Sequence, residues 1–479
     1  MKDWKKLLIG IVWIVTACLC ASPLSAQQEG GEKPKPAARE LLPLLDTGDY
    51  QQDTDQETQT IQPDNRPVGG VQNMTLGTPQ MRHSYWVPGI RYSNAAGSNN
   101  SNLAAASTQW NTTSFVSGDV SLLEAWSHSL LSANYSGGGF TSTDSTQGNG
   151  QYHQLSATYE ILQRRWQGQF FEQFSFLPQS SFGFGGTSGL ASPGITGSLG
   201  APLPGLQSTL VPGQTILTAA GLRYSATSGV QLIYEVSARG LLTIGGVHGL
   251  LRFINSGNFG NDTETLNVGY NYAITRKDTV GLVYRFSAYH YPGNPQALGD
   301  HVAQFVYGRR ITGRLGLTLA GGPDVTTFRV PIATSTRRVS GTTTAALIYA
   351  FPRSSVTLNY THGISSGSGV FSGASTNLLG ATWSRQLTRV YNGSLNFQYA
   401  KNGQITSAVG RASPSYNTWL VGAGLSRPLG RSADFSFGYQ AQIQGANSAV
   451  CIGANCSANH TAHQVFLSFQ WHARPLVLR

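Results

Sequence analysis

From Ala462 to Trp471 the chain reads AHQVFLSFQW, and this run limits the possible folds more than any other stretch. Val465, Leu467, Phe469 and Trp471 fall on one side of an extended strand, and Gln464, Ser468 and Gln470 on the other; Phe466 alone is out of step. Successive side chains of a strand point to opposite faces, so this segment has an apolar face and a polar face. The pattern recurs along most of the chain. Leu266, Val268, Tyr270, Tyr272 and Ile274 share one face; after the turn at Thr275-Arg276-Lys277-Asp278, so do Val280, Leu282, Tyr284, Phe286 and Ala288. Ala345 to Phe351 lead through Pro352-Arg353 into Val356, Leu358 and Tyr360, and Ile216 to Tyr224 lead through Ala226-Thr227-Ser228-Gly229 into Val230, Leu232, Tyr234 and Val236. Two period-2 runs around a short polar break predict a hairpin.

The alternative, an α-rich soluble domain, finds no support. After the first 20 residues no run shows apolar spacing of 3.6. Only 11% of the residues are charged and 57 are glycine, whereas ordinary soluble domains carry about 25% charge. Sparse charge, abundant small polar residues and many aromatics suit strands with lipid on one face and water on the other.

The connections alternate in length. Short, basic breaks occur at Arg164-Arg165, Arg276-Lys277, Arg309 to Arg314, Arg353, Arg385 to Arg389 and Arg427 to Arg431. Long Gly/Ser/Asn/Pro-rich stretches include Ser136 to Gly150, Pro178 to Gly213, Gly240 to Asp262, Tyr291 to Gly299, Gly322 to Arg338, Ile364 to Ala374, Lys401 to Ser415 and Gln444 to Asn459. A terminal strand closing on an aromatic resembles the closing strand of bacterial outer-membrane β-barrels, although Ala473 to Arg479 continue past it. The resemblance implies an all-β fold: a transmembrane, antiparallel up-and-down barrel over residues 82–479, with short periplasmic turns and long extracellular loops. The loops predict about 18 strands. Sixteen is the other count the pattern allows, because the first pair, around Trp86 and Phe115, alternates weakly. The resemblance also implies outer-membrane lipid and the barrel-assembly machinery, acting through the C-terminal strand, as partners.

The start of the chain fits export. Lys2, Lys5 and Lys6 precede an apolar run from Leu7 to Cys20 and small residues ending at Ala26, the form of a secretory signal peptide over residues 1–26. Val15-Thr16-Ala17-Cys18 also looks like a lipobox, which would acylate Cys18. Residues 27–81 are rich in Gln, Asp, Pro and Gly and read as a periplasmic tether or a partial plug. In an exported chain Cys451 and Cys456, within CIGANC, are expected to form a local disulfide.

The polar faces would line the lumen. They carry mainly neutral groups such as Gln154, Ser156, Asn267, Asn271, Thr357, Asn359, Gln440 and Ser468, with Glu160, Arg223, Glu235 and Arg285 as candidate lumen charges. These four fit either a solvated channel wall or an internal salt-bridge network. Trp166, Trp383, Trp419 and Trp471 fall near short turns and form a candidate periplasmic aromatic girdle. Glu172 shares the apolar face of Trp166, Phe170 and Phe174, which suggests a bulge or a position near the outer headgroups.

The function most in keeping with such a barrel is a channel for small polar or charged solutes. The net charge of +10 admits export of an acidic polysaccharide, as in alginate-export porins, which this chain resembles only in strand number and basic balance. A surface adhesin acting through the long loops is the third possibility. No GxSxG, HExxH or GxxxxGK[ST] occurs, and His153, His248, His290, His301 and His362 lack Ser and acid partners at a defensible spacing. Neither an enzyme, a metal site nor a cofactor is therefore expected. The basic residues are spread over turns and termini without a basic-aromatic motif, so nucleic acid is not an expected partner.

Overall fold

The computed structural model describes residues 84–98, 110–143, 149–178, 222–254, 259–332, 335–351, 353–367, 371–405, 413–430, 432–447 and 459–478, all within one compact unit, Glu40–Arg479. The expected signal peptide, Cys18, the 27–81 segment, Cys451 and Cys456 lie outside the described residues.

The strands are β1 (Ser84–Ser98), β2 (Trp110–Ala125), β3 (Ser129–Ser142), β4 (Gly150–Leu162), β5 (Trp166–Pro178), β6 (Leu222–Ser237), β7 (Gly240–Ile254), β8 (Asn261–Ala273), β9 (Asp278–His290), β10 (Ala297–Arg310), β11 (Leu315–Ile332), β12 (Ser335–Ala350), β13 (Ser354–Ser365), β14 (Ala374–Gln386), β15 (Asn392–Gln404), β16 (Ser415–Pro428), β17 (Ala433–Ala446), β18 (Asn459–His472) and the short β19 (Leu476–Leu478). Each of β1 to β18 pairs antiparallel with its sequence neighbours, and β18 pairs with β1 from Gly89↔His472 to Ser98↔His463. The result is a closed cylinder of 18 strands with no free edge along its length. β19 continues the line of β18 after a break at Pro475 and pairs with the start of β1, Ser84↔Leu478 to Trp86↔Leu476. That pairing accounts for the residues beyond the terminal aromatic.

One rim carries connections of two (238–239) to five (387–391) residues; the other carries connections of six residues or more, up to 179–221, except for the two-residue 333–334 between β11 and β12. The turns of the first rim are closed by local hydrogen bonds. Thr275 Oγ1 accepts from the Lys277 and Asp278 amides at 3.0 and 2.9 Å, and Thr312 and Thr388 repeat the arrangement. Threonine hydroxyls thus satisfy turn amides that the ladders cannot.

Burial alternates with the pleat. In β9, Thr279, Val283, Ser287 and Tyr289 are buried, while Leu282 (67% exposed) and Tyr284 (43%) face outward. In β18, Phe466 and Ser468 are buried, and Leu467, Phe469 and Trp471 are exposed. A wall whose exposed side is Leu, Val, Phe, Tyr and Trp needs hydrocarbon around it, because large contiguous apolar patches are rare on soluble monomers.

Several strand bounds differ from the sequence reading. Ala226–Gly229 are not a turn but lie inside β6, whose pairing with β5 runs unbroken through Ser228 and Gly229. The stretch from Gly240, read as a long loop, begins with β7, and the true turn is at residues 238–239. Gly322 to Arg338 is not a loop either: β11 and β12 continue as a hairpin that turns at 333–334. Of the strand expected over Ile216 to Tyr224, residues 216–221 lie outside the described residues and Leu222 to Tyr224 belong to β6; with β7 added, the described residues give the expected count of 18.

Candidate functional site

The inner wall is formed by every second residue of each strand, and closure brings together side chains far apart in sequence. Two groups stand out.

The first lies on β9, β10 and β11. Register aligns Arg285, Val302 and Asp324 in one row, and Ser287, Asp300 and Thr326 in the next. Arg285 Nη2 lies 3.7 Å from Asp300 Oδ2, and Thr326 Oγ1 donates to Asp324 Oδ1 at 3.4 Å. Asp300 and Asp324 are both fully buried. The guanidinium offsets the repulsion between two carboxyl groups held on adjacent strands in a poorly solvated place. Toward the long-loop rim lies an apolar cluster of Tyr289, Tyr291, Leu298, Phe328, Ile364 and Ile405.

The β13–β14 connection folds onto this cluster. Ser366, Phe371 and Ser372 are buried, Phe371 packs on Tyr416 with ring centroids 5.6 Å apart, and the Tyr291 hydroxyl donates to the Ser366 carbonyl at 3.2 Å. Gly373 has φ +100°, and a Cβ there would run into Leu298 Cδ1. Glycine is therefore required both for the backbone conformation and for the close approach. The described part of the connection, 366–367 and 371–373, thus packs on the long-loop side of the Arg285 group.

The second group lies where the barrel closes. A single row runs Gln470, Arg91, Ser117, Gly138, Tyr152 across β18, β1, β2, β3 and β4. Arg91 is 2% exposed. Asp119 accepts from Gln470 Nε2 at 3.4 Å, and Asp434 lies 3.6 Å from His472 Nδ1 on the same side of the wall. Beside them is an aromatic ledge of Phe115, Phe140, Tyr152 and Phe466, with Phe115 5.8 Å from Phe140 and edge-on to Tyr152 at 6.0 Å. Phe466, the residue out of step in the sequence pattern, keeps the strand's register and turns inward to join this ledge.

All four candidate lumen charges sit at inward positions, but the fold does not gather them. Glu160, buried, lies near the short-turn end of β4 opposite Gln169. Arg223, also buried, is near the long-loop end of β6. Glu235 is exposed at the short-turn rim beside a register shift. Arg285 alone joins a charged group. The sequence reading missed Arg91, Asp119, Asp300, Asp324, Asp434 and His472. Asp324 fell within a stretch read as loop, and Arg91 within the weakest-patterned strand. Their common signal, an inward position shared with small polar neighbours, becomes readable only after register is known.

On the outer wall, Trp166, Trp383 and Trp471 lie near the short-turn rim. Trp419 does not: β16 starts at the long-loop rim, so its fifth residue stands there, packed on Tyr399 at 4.3 Å and Phe397 at 5.6 Å. The long connection read at Lys401 to Ser415 ends just before it, so the sequence itself sets Trp419 on the long-loop side. Glu172 points outward from an unbulged β5 and accepts from the Ser228 hydroxyl.

No family model matches the chain, and no curated protein matches it. Among solved structures, OccK9 (OpdG) of Pseudomonas aeruginosa is similar at 11% identity and a TM-score of 0.43, covering 82% of this chain and 98% of that one. OccAB4 of Acinetobacter baumannii is similar at 9% and 0.43, covering 82% and 100%. The outer membrane protein OpdK of Pseudomonas aeruginosa is similar at 9% and 0.41, covering 81% and 99%. Likeness at this level sets the chain beside those folds and carries nothing about what its own inner wall binds.

Proposed function

We propose that the chain is an outer-membrane channel for small polar or charged solutes. One observation carries the reading: a closed 18-strand cylinder with an apolar outside and a polar inside that holds ionisable groups of both signs. Cylinders of about 16–18 strands are wide enough to leave an aqueous path. The inward-folded β13–β14 connection above Arg285, Asp300 and Asp324 would narrow that path and set which solutes pass. The short-turn rim would face the periplasm, and β18 would be the strand that the assembly machinery engages.

The inner wall argues against an acidic polymer as cargo. At the described inward positions Asp119, Glu160, Glu235, Asp300, Asp324 and Asp434 answer Arg91, Arg223, Arg285, Arg310 and Arg338, so the net positive charge of the sequence does not translate into a basic lumen there. Planar-bilayer recording tests the proposal. Stepwise single-channel currents with weak ion preference are the expected result, and an inserted, folded barrel that passes no current would overturn it.

A further inference from the structure

On the outer wall the apolar band ends in a polar collar, and a single arrangement recurs in it three times. The Tyr135 hydroxyl meets His153 Nδ1 at 2.9 Å, Tyr284 meets His301 Nδ1 at 2.8 Å, and Tyr439 meets His463 Nδ1 at 2.8 Å. The register is the same each time. The direct partner of the tyrosine lies two residues from the histidine: Tyr135↔Leu155, Tyr284↔Ala303 and Tyr439↔Val465. His153, His301 and His463 each stand nine residues from the short-turn end of their strand, at Leu162, Arg310 and His472. At about 3.3 Å per residue and a tilt of about 45°, nine residues rise roughly 21 Å, close to the ~25 Å apolar band of such barrels. The pairs therefore sit at the boundary between hydrocarbon and headgroups on the long-loop side. His362, bonded to Asn377 at 2.9 Å, stands at the same level on β13, and Lys401 pairs with Asn377 in register on β15.

We infer that this collar binds the phosphate of lipid headgroups through its histidines, and does so more strongly as pH falls. The inference rests on the lipid-facing reading of the outer wall but not on conduction. Tyrosine holds Nδ1 in either protonation state: a neutral imidazole accepts the phenol O–H there, and a protonated one donates N–H to the phenol oxygen. In both states Nε2 carries a hydrogen and is free to donate to a phosphate oxygen. Only the charge changes, and imidazole is the side chain that gains charge between about pH 8 and pH 5. The direct outward cross-strand partners of the three histidines are Gly137 and Phe176, Phe286 and Val325, and Ala441 and Ser98. Among the described residues, the tyrosines are thus the titratable groups facing them. The collar's carboxylates, Glu172 and Glu264, lie in register with His248 on β5 to β8, so that sector does not share the behaviour.

The test uses the full chain in phosphatidylcholine vesicles containing brominated phosphatidylglycerol or brominated phosphatidylcholine. Quenching of tryptophan fluorescence gives the relative affinity of the wall for each lipid. The expected result is that preference for phosphatidylglycerol, whose phosphodiester keeps its charge throughout, rises by about fivefold between about pH 8 and pH 5.5, as one added cation at an anionic surface brings. The triple variant His153→Gln/His301→Gln/His463→Gln should lose the rise. The variant Tyr135→Phe/Tyr284→Phe/Tyr439→Phe, which keeps the rings and frees the imidazoles, should weaken it. A pH-independent preference in the native protein, or an undiminished rise in the glutamine variant, would overturn the inference. Suppression by millimolar inorganic phosphate would also overturn it, by showing a free-phosphate site rather than a headgroup surface. Conductance measured in parallel separates the two proposals, because its loss with lipid preference intact counts against the channel alone.

Discussion

Replacing Leu282 by arginine puts the membrane reading at risk in one measurement. Leu282 is 67% exposed on the outer face of β9, between Tyr270 of β8 and Phe305 of β10 in register. It stands four residues above the short-turn end of a band about nine residues tall, near mid-height. A cation at the hydrocarbon midplane costs about 2–4 kcal/mol in such barrels, a shift of about 30- to 1,000-fold in the folding equilibrium. The control is Gln304→Arg on the neighbouring strand. Gln304 faces inward opposite Val283 and donates through Nε2 to Thr342 Oγ1 at 3.3 Å. Losing that bond costs about 0.5–1.5 kcal/mol, while the new charge can be solvated in a wet lumen. Reversible urea unfolding from phospholipid vesicles, followed by tryptophan fluorescence, reads both changes. A soluble barrel with a buried interior predicts the opposite order: Leu282→Arg within about 0.5 kcal/mol of neutral, and Gln304→Arg the costly change. That order would refute the assignment of lipid to the outside.

Gly373→Ala should destabilise the folded-in β13–β14 connection by at least about 1–2 kcal/mol, since it forces an L-residue to φ +100° against Leu298. Its conductance should rise as the mouth loosens, and an unchanged single-channel current would count against that connection as a constriction. Arg285→Gln removes the guanidinium that lies 3.7 Å from Asp300 in the row shared with Asp324; reversal potentials in a salt gradient should move toward cation preference by a factor of about two or more. Truncation after Ala473 removes β19 but none of the ten β18–β1 pairs, so the shortened chain should still close and resist dissociation on semi-native gels, with a stability loss of about 1 kcal/mol or less.

The alternation of the strands was legible because it is a local property with a period of two. Where it misled, small residues were at fault. Ala226 to Gly229 look like a turn, yet a Cβ at Gly229 would collide with the ring of Phe171, so the glycine there makes room for an aromatic on the preceding strand, β5. Gly245, Gly246 and Gly249 disguised β7 in the same way, with Asn267 filling the space beside Gly245. Pro323 suggested a loop, but it lies where the β10–β11 ladder skips from Val302↔Asp324 to Phe305↔Gly321, a place that needs no amide donor.

The sequence by itself determined which side of each strand is apolar, since that depends only on the order of residues and the pleat. It also determined that the strands would close, because so many two-faced segments leave no other way to satisfy their backbones in lipid. Only the tertiary structure decided which charges meet. Arg285, Asp300 and Asp324 belong to three strands, and Arg91, Asp119 and Asp434 to the two ends of the chain. Register, a relation between strands, brings each set together, and no period within one strand encodes it.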